Sequence, residues 1–472
     1  MRGFPLFFPV TCHTDFVTSG STFVAINGMK RNGADYVLSA LQKGATQIVV
    51  EFDQVVDEQA IKKYGARIVR VHNTRKALAQ LSAQAADYPT KKLKIIGITG
   101  TKGKTTTTHI LYHLLQSLGY KVACLNTVYN MINDVTFKAP LTTAQPDYLH
   151  QFFKLCVQEG VEYVVMEVAA QAFTFDRVHE IEFDAALFTN LDQEHGELYA
   201  TQEEYFKEKA KLFVQIKEGA PALVNTDDAH GKMLLTMHDG FKSYSVNDDE
   251  ADYQAQFSTK EYNRYSCTFS YQGKDASFVY STFPGQYNGY NILAAVTTLL
   301  ELGISLDSLR SGLRSLPPLS GRLEEYLLPN GARALIDYAH TPASFAAVFQ
   351  MAREWTKDLI VVFGAGGGKD QEKRPLMGSI AAQWADKVIL TSDNPRFEEV
   401  SSIIQNIKEG ISKEHLLKVT VELERKKAIE QAYFFSKRGS VIMILGKGPD
   451  EHEIVKDQVI PFNEKSILLS LI

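Results

Sequence analysis

The chain has little cysteine, no excess of positive charge and no long apolar run. Its four cysteines, Cys12, Cys124, Cys156 and Cys267, are scattered over 472 residues, and no two have C-x-x-C spacing. That is too few, too widely spread, for a disulfide scaffold or a thiolate metal site, and it suits a reducing cytoplasm. Lys and Arg number 50 against 55 Asp and Glu, a net charge of −5. A protein that grips a nucleic-acid backbone shows a basic excess or stripe, so nucleic acid is not an expected partner. No window approaches the roughly 18 apolar residues of a membrane helix. The opening MRGFPLFFPV is apolar, but it is short, holds Pro5 and Pro9, and leads to no A-x-A-like site, so it does not read as a secretion signal. Low-complexity tracts and obvious repeats are also lacking. The expectation is a cytoplasmic monomer, without a membrane partner, acting on small molecules.

What is present is an α/β pattern on a large scale. Apolar residues make up 45% of the chain, ample for several packed cores. At about 150 residues per domain the length suggests roughly three domains. Short apolar strands alternate with helical stretches, which argues for parallel sheets. The clearest strands are 94–99, 163–168, 183–191, 334–338, 359–363, 387–391 and 441–445. Their ends read GTKGKT, EVAAQ, NLDQEH, DYAHTP, GAGGGKD, SDNPR and GKGPDE. Ligands of open parallel sheets bind outside the carboxyl ends of strands, so these seven ends are the candidate site segments. The stretch 243–283, rich in Tyr, Ser and Thr, reads as antiparallel strands within the central domain, and 317–325 as a linker.

The strand KIIGIT runs into Gly100-Thr101-Lys102-Gly103-Lys104-Thr105 and then into the helical stretch TTTHILYHLLQSLG. A glycine loop opening a helix aims backbone N–H groups and the helix dipole at phosphate. Lys104 would neutralise the outer phosphates, and the Thr105 hydroxyl would reach Mg²⁺. The match is partial, because Ile98 stands where the first glycine of a full G-x-x-x-x-G-K-[ST] belongs. A second glycine loop, Gly364 to Lys369, begins like G-x-G-x-x-G but ends in lysine, and as a lone partial match it is weak support for a dinucleotide fold.

The GTKGKTT loop, followed in order by MEVAAQAF, NLDQEH, EEYFKEKAKLF, GQYNGYNILAA, SGRLE, IDYAHTP, SDNPR and GKGPDE, resembles the Mur ligases, specifically the MurE type. The resemblance spans nearly the whole chain. It implies a UDP-sugar-binding domain (1–89), a central P-loop-type parallel-sheet domain that binds ATP (90–325) and a C-terminal Rossmann-like domain that binds an amino acid (326–472). It implies ATP and two Mg²⁺ ions, with UDP-N-acetylmuramoyl-L-alanyl-D-glutamate and an amino acid as substrates. Gly100, Thr101, Lys102, Gly103, Lys104, Thr105, Thr106, Asn291, Arg322 and Asp337 would contact ATP. Glu167 would join Thr105 on one metal. His195 and Lys209, the lysine that the family carbamylates, would hold the second, and Lys104, His195 and Lys209 would form the catalytic set. Thr142, Thr143, Arg177, Asp393, Asn394, Arg396, Gly446 and Asp450 would contact the two substrates. Three segments depart from the family pattern: His13-Thr14-Asp15 replaces its D-S-R, Ala169, Ala170 and Gln171 replace its Ser, Ser and His, and Glu194-His195-Gly196-Glu197-Leu198-Tyr199-Ala200 stands where it has D-H-L-D-Y-H-G.

Such a set fits amide ligation. A carboxylate does not react with an amine at neutral pH, because oxide cannot leave. Phosphorylation by ATP makes an acyl phosphate that an amine attacks, and moving phosphoryl between two anions needs cations to spread the charge. Read without the resemblance, Lys209 is one of three lysines, with Lys207 and Lys211, on an ordinary solvated helix face. The amino acid is expected to be meso-diaminopimelate, because its extra carboxylate suits Arg396 and an unpaired arginine repels a lysine ammonium. Asp450 in place of the usual Glu, and Gln171, lean instead toward L-lysine. A non-catalytic relative that binds nucleotide or precursor, and a ligase acting on another carboxylate such as a folate polyglutamate, are the other readings.

Overall fold

A computed structural model describes residues 4–29, 31–137, 139–192, 198–261, 264–271, 273–280, 282–368 and 370–472. The chain divides into two compact units, Met1–Ser281 with Tyr290–Leu316, and Thr282–Gly289 with Pro317–Ile472.

The first unit opens with a small parallel sheet of β1 (Val10–Thr11), β2 (Thr22–Val24), β3 (Gln47–Glu51) and β4 (Arg67–Val71), in that order. Alternate residues face opposite sides, as the two-residue repeat of a strand requires. Phe23, Ile48 and Val50 enter one core, whereas Val10, Val24 and Val49 enter another with Leu78 of the helix Thr74–Ala85.

A larger sheet follows. Its strands are β5 (Lys94–Thr99), β6 (Val122–Leu125), β7 (Asn130–Ile132), β8 (Val135–Phe137), β9 (Tyr163–Glu167), β10 (Ala185–Phe188), β11 (Ala222–Asn225), β12 (Lys242–Ser245), β13 (Tyr253–Glu261), β14 (Arg264–Tyr271) and β15 (Lys274–Tyr280). The order is β15-β14-β13-β12-β11-β10-β5-β9-β6-β7-β8. From β13 through β6 every pairing is parallel, and hairpins finish both edges. Ile95, Ile96 and Ile98 of β5 are wholly buried, which explains the unbroken apolar run KIIGI: helices cover both faces of a parallel sheet.

Two expectations need correction. The antiparallel stretch begins only at β13, because β12 is reached through a crossover containing the helix Ala229–Leu235, and a crossover delivers a parallel strand. The strand expected over 183–191 is only Ala185–Phe188. Beyond it, Asn190 and Leu191 leave the sheet to bond the loop after β5 and Asp228.

The second unit is a six-stranded sheet in the order β16-β17-β21-β18-β19-β20, with β16 (Glu324–Leu327), β17 (Arg333–Asp337), β18 (Leu359–Phe363), β19 (Lys387–Leu390), β20 (Val419–Val421) and β21 (Val441–Leu445). All pairings are parallel except β16 with β17. Leu359, Val361 and Phe363 face one core, Ile360 and Val362 the other. A hairpin, β22 (His452–Val455) with β23 (Gln458–Pro461), projects from the end of β21.

Candidate active site

In the first unit the candidate residues meet because β5 is flanked by β9 and β10. Their carboxyl ends share one edge, with Ile98 level with Glu167 and Thr99 level with Phe188. Gly100 and Gly103 have φ of +142° and +86°. A Cβ on Gly100 would lie 2.0 Å from Thr189 Oγ1, and one on Gly103 would lie 2.3 Å from Asn291 Oδ1. Only glycine fits either place. Gly103 is the N-cap of the helix Lys104–Ser117, so the loop passes directly into the helix whose first-turn N–H groups lack intrahelical partners.

The strand end at 189–192 holds this loop. Thr101 N–H donates to Asn190 O at 2.8 Å, and Lys102 N–H to Asn190 Oδ1 at 2.9 Å. Thr189 Oγ1 and Asn190 Nδ2 donate to Lys102 O at 2.7 and 3.1 Å, and Lys102 forms an ion pair with Asp192. The Lys104 ammonium curls over the loop and donates to the carbonyls of Gly100 (2.9 Å) and Thr101 (2.8 Å). Thr105 and Thr106 are buried in the first turn. Asn291 lies against Gly103 and accepts from Thr107 Oγ1 at 3.4 Å.

Glu167 is 1% exposed and accepts from Thr127 N–H (2.9 Å) and Thr127 Oγ1 (3.1 Å). The same Thr127 hydroxyl reaches Thr142 Oγ1 at 3.1 Å. Thr143 Oγ1 donates to Glu167 O and accepts Ala169 N–H, and Arg177 Nη1 donates to Thr143 O at 2.9 Å. Burial lowers the Arg177 pKa to about 10. Thr142, Thr143, Glu167 and Arg177 therefore form one connected group, with Thr127 as its link. Asn190 and Asp192 belong to the expected strand-end segment NLDQEH, although the sequence assigns them no individual role, and it does not single out Thr127 or Thr189. Their roles come from neighbouring strand ends, which lie far apart along the chain.

Lys209 is no solvated lysine. It is 1% exposed, its ammonium donates to Gly100 O at 2.6 Å, and it sits 4.2 Å above the Tyr205 ring, whereas Lys207 and Lys211 are exposed. A local signal for this existed: Tyr205, Phe206, Lys209, Leu212 and Phe213 are the buried residues of the helix Gln202–Val214, a clean helical stripe. His195 lies outside the described residues.

Oxygen donors such as Thr105 and Glu167 suit a hard divalent cation, and the glycine cradle with Lys104 suits phosphate. Among the described residues, no three His, Cys, Asp or Glu side chains are gathered as ligands.

In the second unit, the ends of β17, β18, β19 and β21 carry the remaining residues. Both Asp337 oxygens take backbone N–H groups, from Leu323 (2.9 Å) and Ala339 (2.8 Å), and burial pushes its carboxyl up. Arg322 stacks 4.7 Å from the Tyr338 ring. Gly446, at φ +110°, leaves room for Asp393, whose Oδ2 a Cβ would meet at 2.4 Å. Asn394 Oδ1 accepts from Lys447 Nζ and from Ile454 N–H, both at 2.9 Å, which fixes the orientation of its amide. Asp450 is half-buried, and burial raises its carboxyl. Arg396 has φ +53°, held by backbone bonds to Ile454 and Lys456, and its Nη1 donates to Gly367 O at 2.9 Å. The expected amino-acid residues Asp393, Asn394, Arg396, Gly446 and Asp450 are thus brought to one edge. Among the described residues, no helix is long and apolar enough to cross a membrane.

Comparison with known proteins identifies the family. Family models match along the chain: Mur ligase family, catalytic domain, at residues 10–86, Mur ligase middle domain at 98–299, and Mur ligase, glutamate ligase domain, at 321–448. A UDP-N-acetylmuramoyl-L-alanyl-D-glutamate–2,6-diaminopimelate ligase of Clostridium tetani is 36% identical over 460 residues, 97% of this chain and 93% of that one. Its namesake in Caldanaerobacter subterraneus is 38% identical over 456 residues, 95% and 91% of the two chains. A solved structure of a ligase of the same name, 25% identical, aligns with a TM-score of 0.67 over 98% of this chain and 94% of its own. The fold is shared with a MurF ligase of Thermotoga maritima in complex with ADP, at 20% identity, a TM-score of 0.67 and coverage of 94% and 95%.

Proposed function

The chain belongs to the Mur ligase family, and from that premise we infer that it is the ATP-dependent ligase that adds meso-diaminopimelate to UDP-N-acetylmuramoyl-L-alanyl-D-glutamate in peptidoglycan precursor synthesis. The γ-phosphoryl of ATP passes to one of the two free glutamyl carboxylates, giving ADP and an acyl phosphate. The amine of the incoming amino acid attacks the acyl carbon, phosphate leaves and an amide bond forms. The amine proton goes to solvent.

The residues divide the work. Gly100 to Thr106 cradle the phosphates, Lys104 turns from the loop carbonyls to neutralise them, and Asn291, Arg322 and Asp337 are proposed contacts to the rest of the nucleotide. Thr105 and Glu167 would hold one Mg²⁺, and a carbamylated Lys209 with His195 a second, which together supply the positive charge that the transferred phosphoryl needs. Thr142, Thr143 and Arg177 are the proposed contacts to the muropeptide.

The observation that carries the choice of amino acid is the edge cluster of Asp393, Asn394, Arg396 and Asp450. A second amino-acid centre bears both a carboxylate and an ammonium. The cluster offers a guanidinium for the first and carboxylates for the second. L-Lysine would leave Arg396 facing an ammonium. The test is ADP release and a direct competition: turnover should require both muropeptide and amino acid and should favour meso-diaminopimelate. Preference for L-lysine would overturn the assignment.

A further inference from the structure

The loop after β18 and the loop after β19 are joined by an ion pair between a buried arginine and a partly exposed glutamate. Arg374 lies in the first turn of the helix Lys373–Trp384 and is 0% exposed. Its Nη1 and Nη2 donate to Glu398 Oε2 and Oε1 at 2.8 and 2.9 Å, a two-pronged pair. The same guanidinium donates to Gly366 O at 3.2 Å and to Asn406 Oδ1 at 3.2 Å. Glu398 Oε1 in turn accepts Gly368 N–H at 2.6 Å. Arg374 and Glu398 therefore grip the glycine segment from both sides, one through the carbonyl of Gly366 and one through the N–H of Gly368. Between those two grips lies Gly367, whose carbonyl receives the Arg396 guanidinium at 2.9 Å. Gly367 also donates its N–H to Asn394 O at 2.9 Å, and a Cβ there would lie 1.8 Å from Pro395 O.

We propose that Arg374 and Glu398 are a positioning pair that sets the Gly367 carbonyl, and through it the direction of Arg396, so that the enzyme's discrimination between meso-diaminopimelate and L-lysine depends on an ion pair that touches neither. This deepens the assignment above and rests on it. The geometry favours positioning over plain stability for two reasons. First, both partners spend donors or acceptors on the glycine segment and not only on each other. Second, Arg396 stands at a left-handed backbone angle that a non-glycine residue keeps only when its surroundings hold it. A long arginine side chain on such a base has several rotamers, and the Gly367 carbonyl selects one.

The test uses the full-length enzyme with Glu398→Gln, Arg374→Lys and, in the case that either folds poorly, Glu398→Asp as a milder loosening of the same grip. The readout is the ratio of kcat/KM for meso-diaminopimelate to that for L-lysine, which does not depend on how much of the preparation is folded. The ratio should fall about tenfold in each variant, with KM for meso-diaminopimelate rising more than kcat falls and KM for ATP unchanged. A wild-type ratio kept in folded variants would overturn the proposal and leave the pair a purely structural one. A wild-type enzyme that itself prefers L-lysine would instead overturn the underlying assignment, so the two failures are distinguishable.

Discussion

Two glycine loops in this protein follow a buried parallel strand, and they have come to opposite uses. In the loop after β5, Gly100 and Gly103 take positive φ, and Gly103 caps a helix that starts at once. In the loop after β18, only Gly368 of the four glycines has positive φ, and the next helix starts five residues later, at Lys373. There the glycines allow close approach of another backbone: a Cβ on Gly364 would meet Thr391 O at 2.2 Å, and one on Gly367 would meet Pro395 O. The first loop is held by the strand end at 189–192, yet it runs straight into the first turn of a helix. The second is backbone stitched to a neighbouring loop. A glycine-rich stretch whose turn delivers the chain directly into a helix N-terminus has the geometry that favours an anion, and the second loop lacks it. The partial G-x-G-x-x-G reading of 364–369 fails on that ground, although Lys369 lies outside the described residues.

The contrast can be broken most severely at the first loop. Lys104→Ala should lower kcat by roughly 10²–10³-fold, the cost of deleting one preorganised charge at a reacting group, with the thermal midpoint unchanged. Near-normal turnover would mean that the loop does not carry the phosphates. Next comes Lys209, which reaches Gly100 O from below the same loop. If it acts as a carbamate, Lys209→Arg should fail as badly as Lys209→Ala, on the order of 10²-fold, despite keeping the charge. Small carboxylic acids should partly restore the alanine variant, and an active arginine variant would reduce Lys209 to an ammonium that braces the loop.

At the second loop the effect should be smaller and of another kind. Glu398→Gln should raise KM for the amino acid roughly tenfold, the worth of about one charge-assisted contact, while KM for ATP stays put. An equal rise in both constants would erase the distinction between the loops. The smallest effect concerns pH. Arg374 holds the Glu398 carboxyl below the ordinary carboxylate range. A carboxyl depressed in the folded state contributes stability above its unfolded pKa of about 4.3 and loses it as pH falls through the folded value. Thermal midpoints of wild type and Glu398→Gln should therefore converge as pH is lowered below that range. A gap that stays constant would show that the pair is not the ionised one described.

Much of this was legible because it is local. The run KIIGIT, the glycines behind it and the helical stretch TTTHILYHLLQ lie in one continuous segment, and β5 with its helix formed where they were expected. The runs LIVVF and VIMIL were buried strands for the same reason, since two-faced burial writes itself as an unbroken apolar string. Lys209 was half legible. Its place in the stripe with Tyr205, Phe206, Leu212 and Phe213 is a local signal, but its charge argued for solvent until β5 supplied a carbonyl for its ammonium.

What the amino-acid order determined by itself is the clearest buried strands, a glycine loop between a strand and a helix, and membership in a family whose motifs stand in order along the chain. What only the tertiary structure decided is who holds whom. Thr127 braces Glu167 across 40 positions, Asn190 clamps Lys102 across 88, and Arg374 meets Glu398 across 24. Periodicity encodes which face of an element is buried, because that depends on residues a few positions apart. It does not encode which strand end lies beside which. That follows from strand order in the finished sheet, and at those ends a carboxylate or an amide becomes either a ligand or a brace only once its neighbour has arrived.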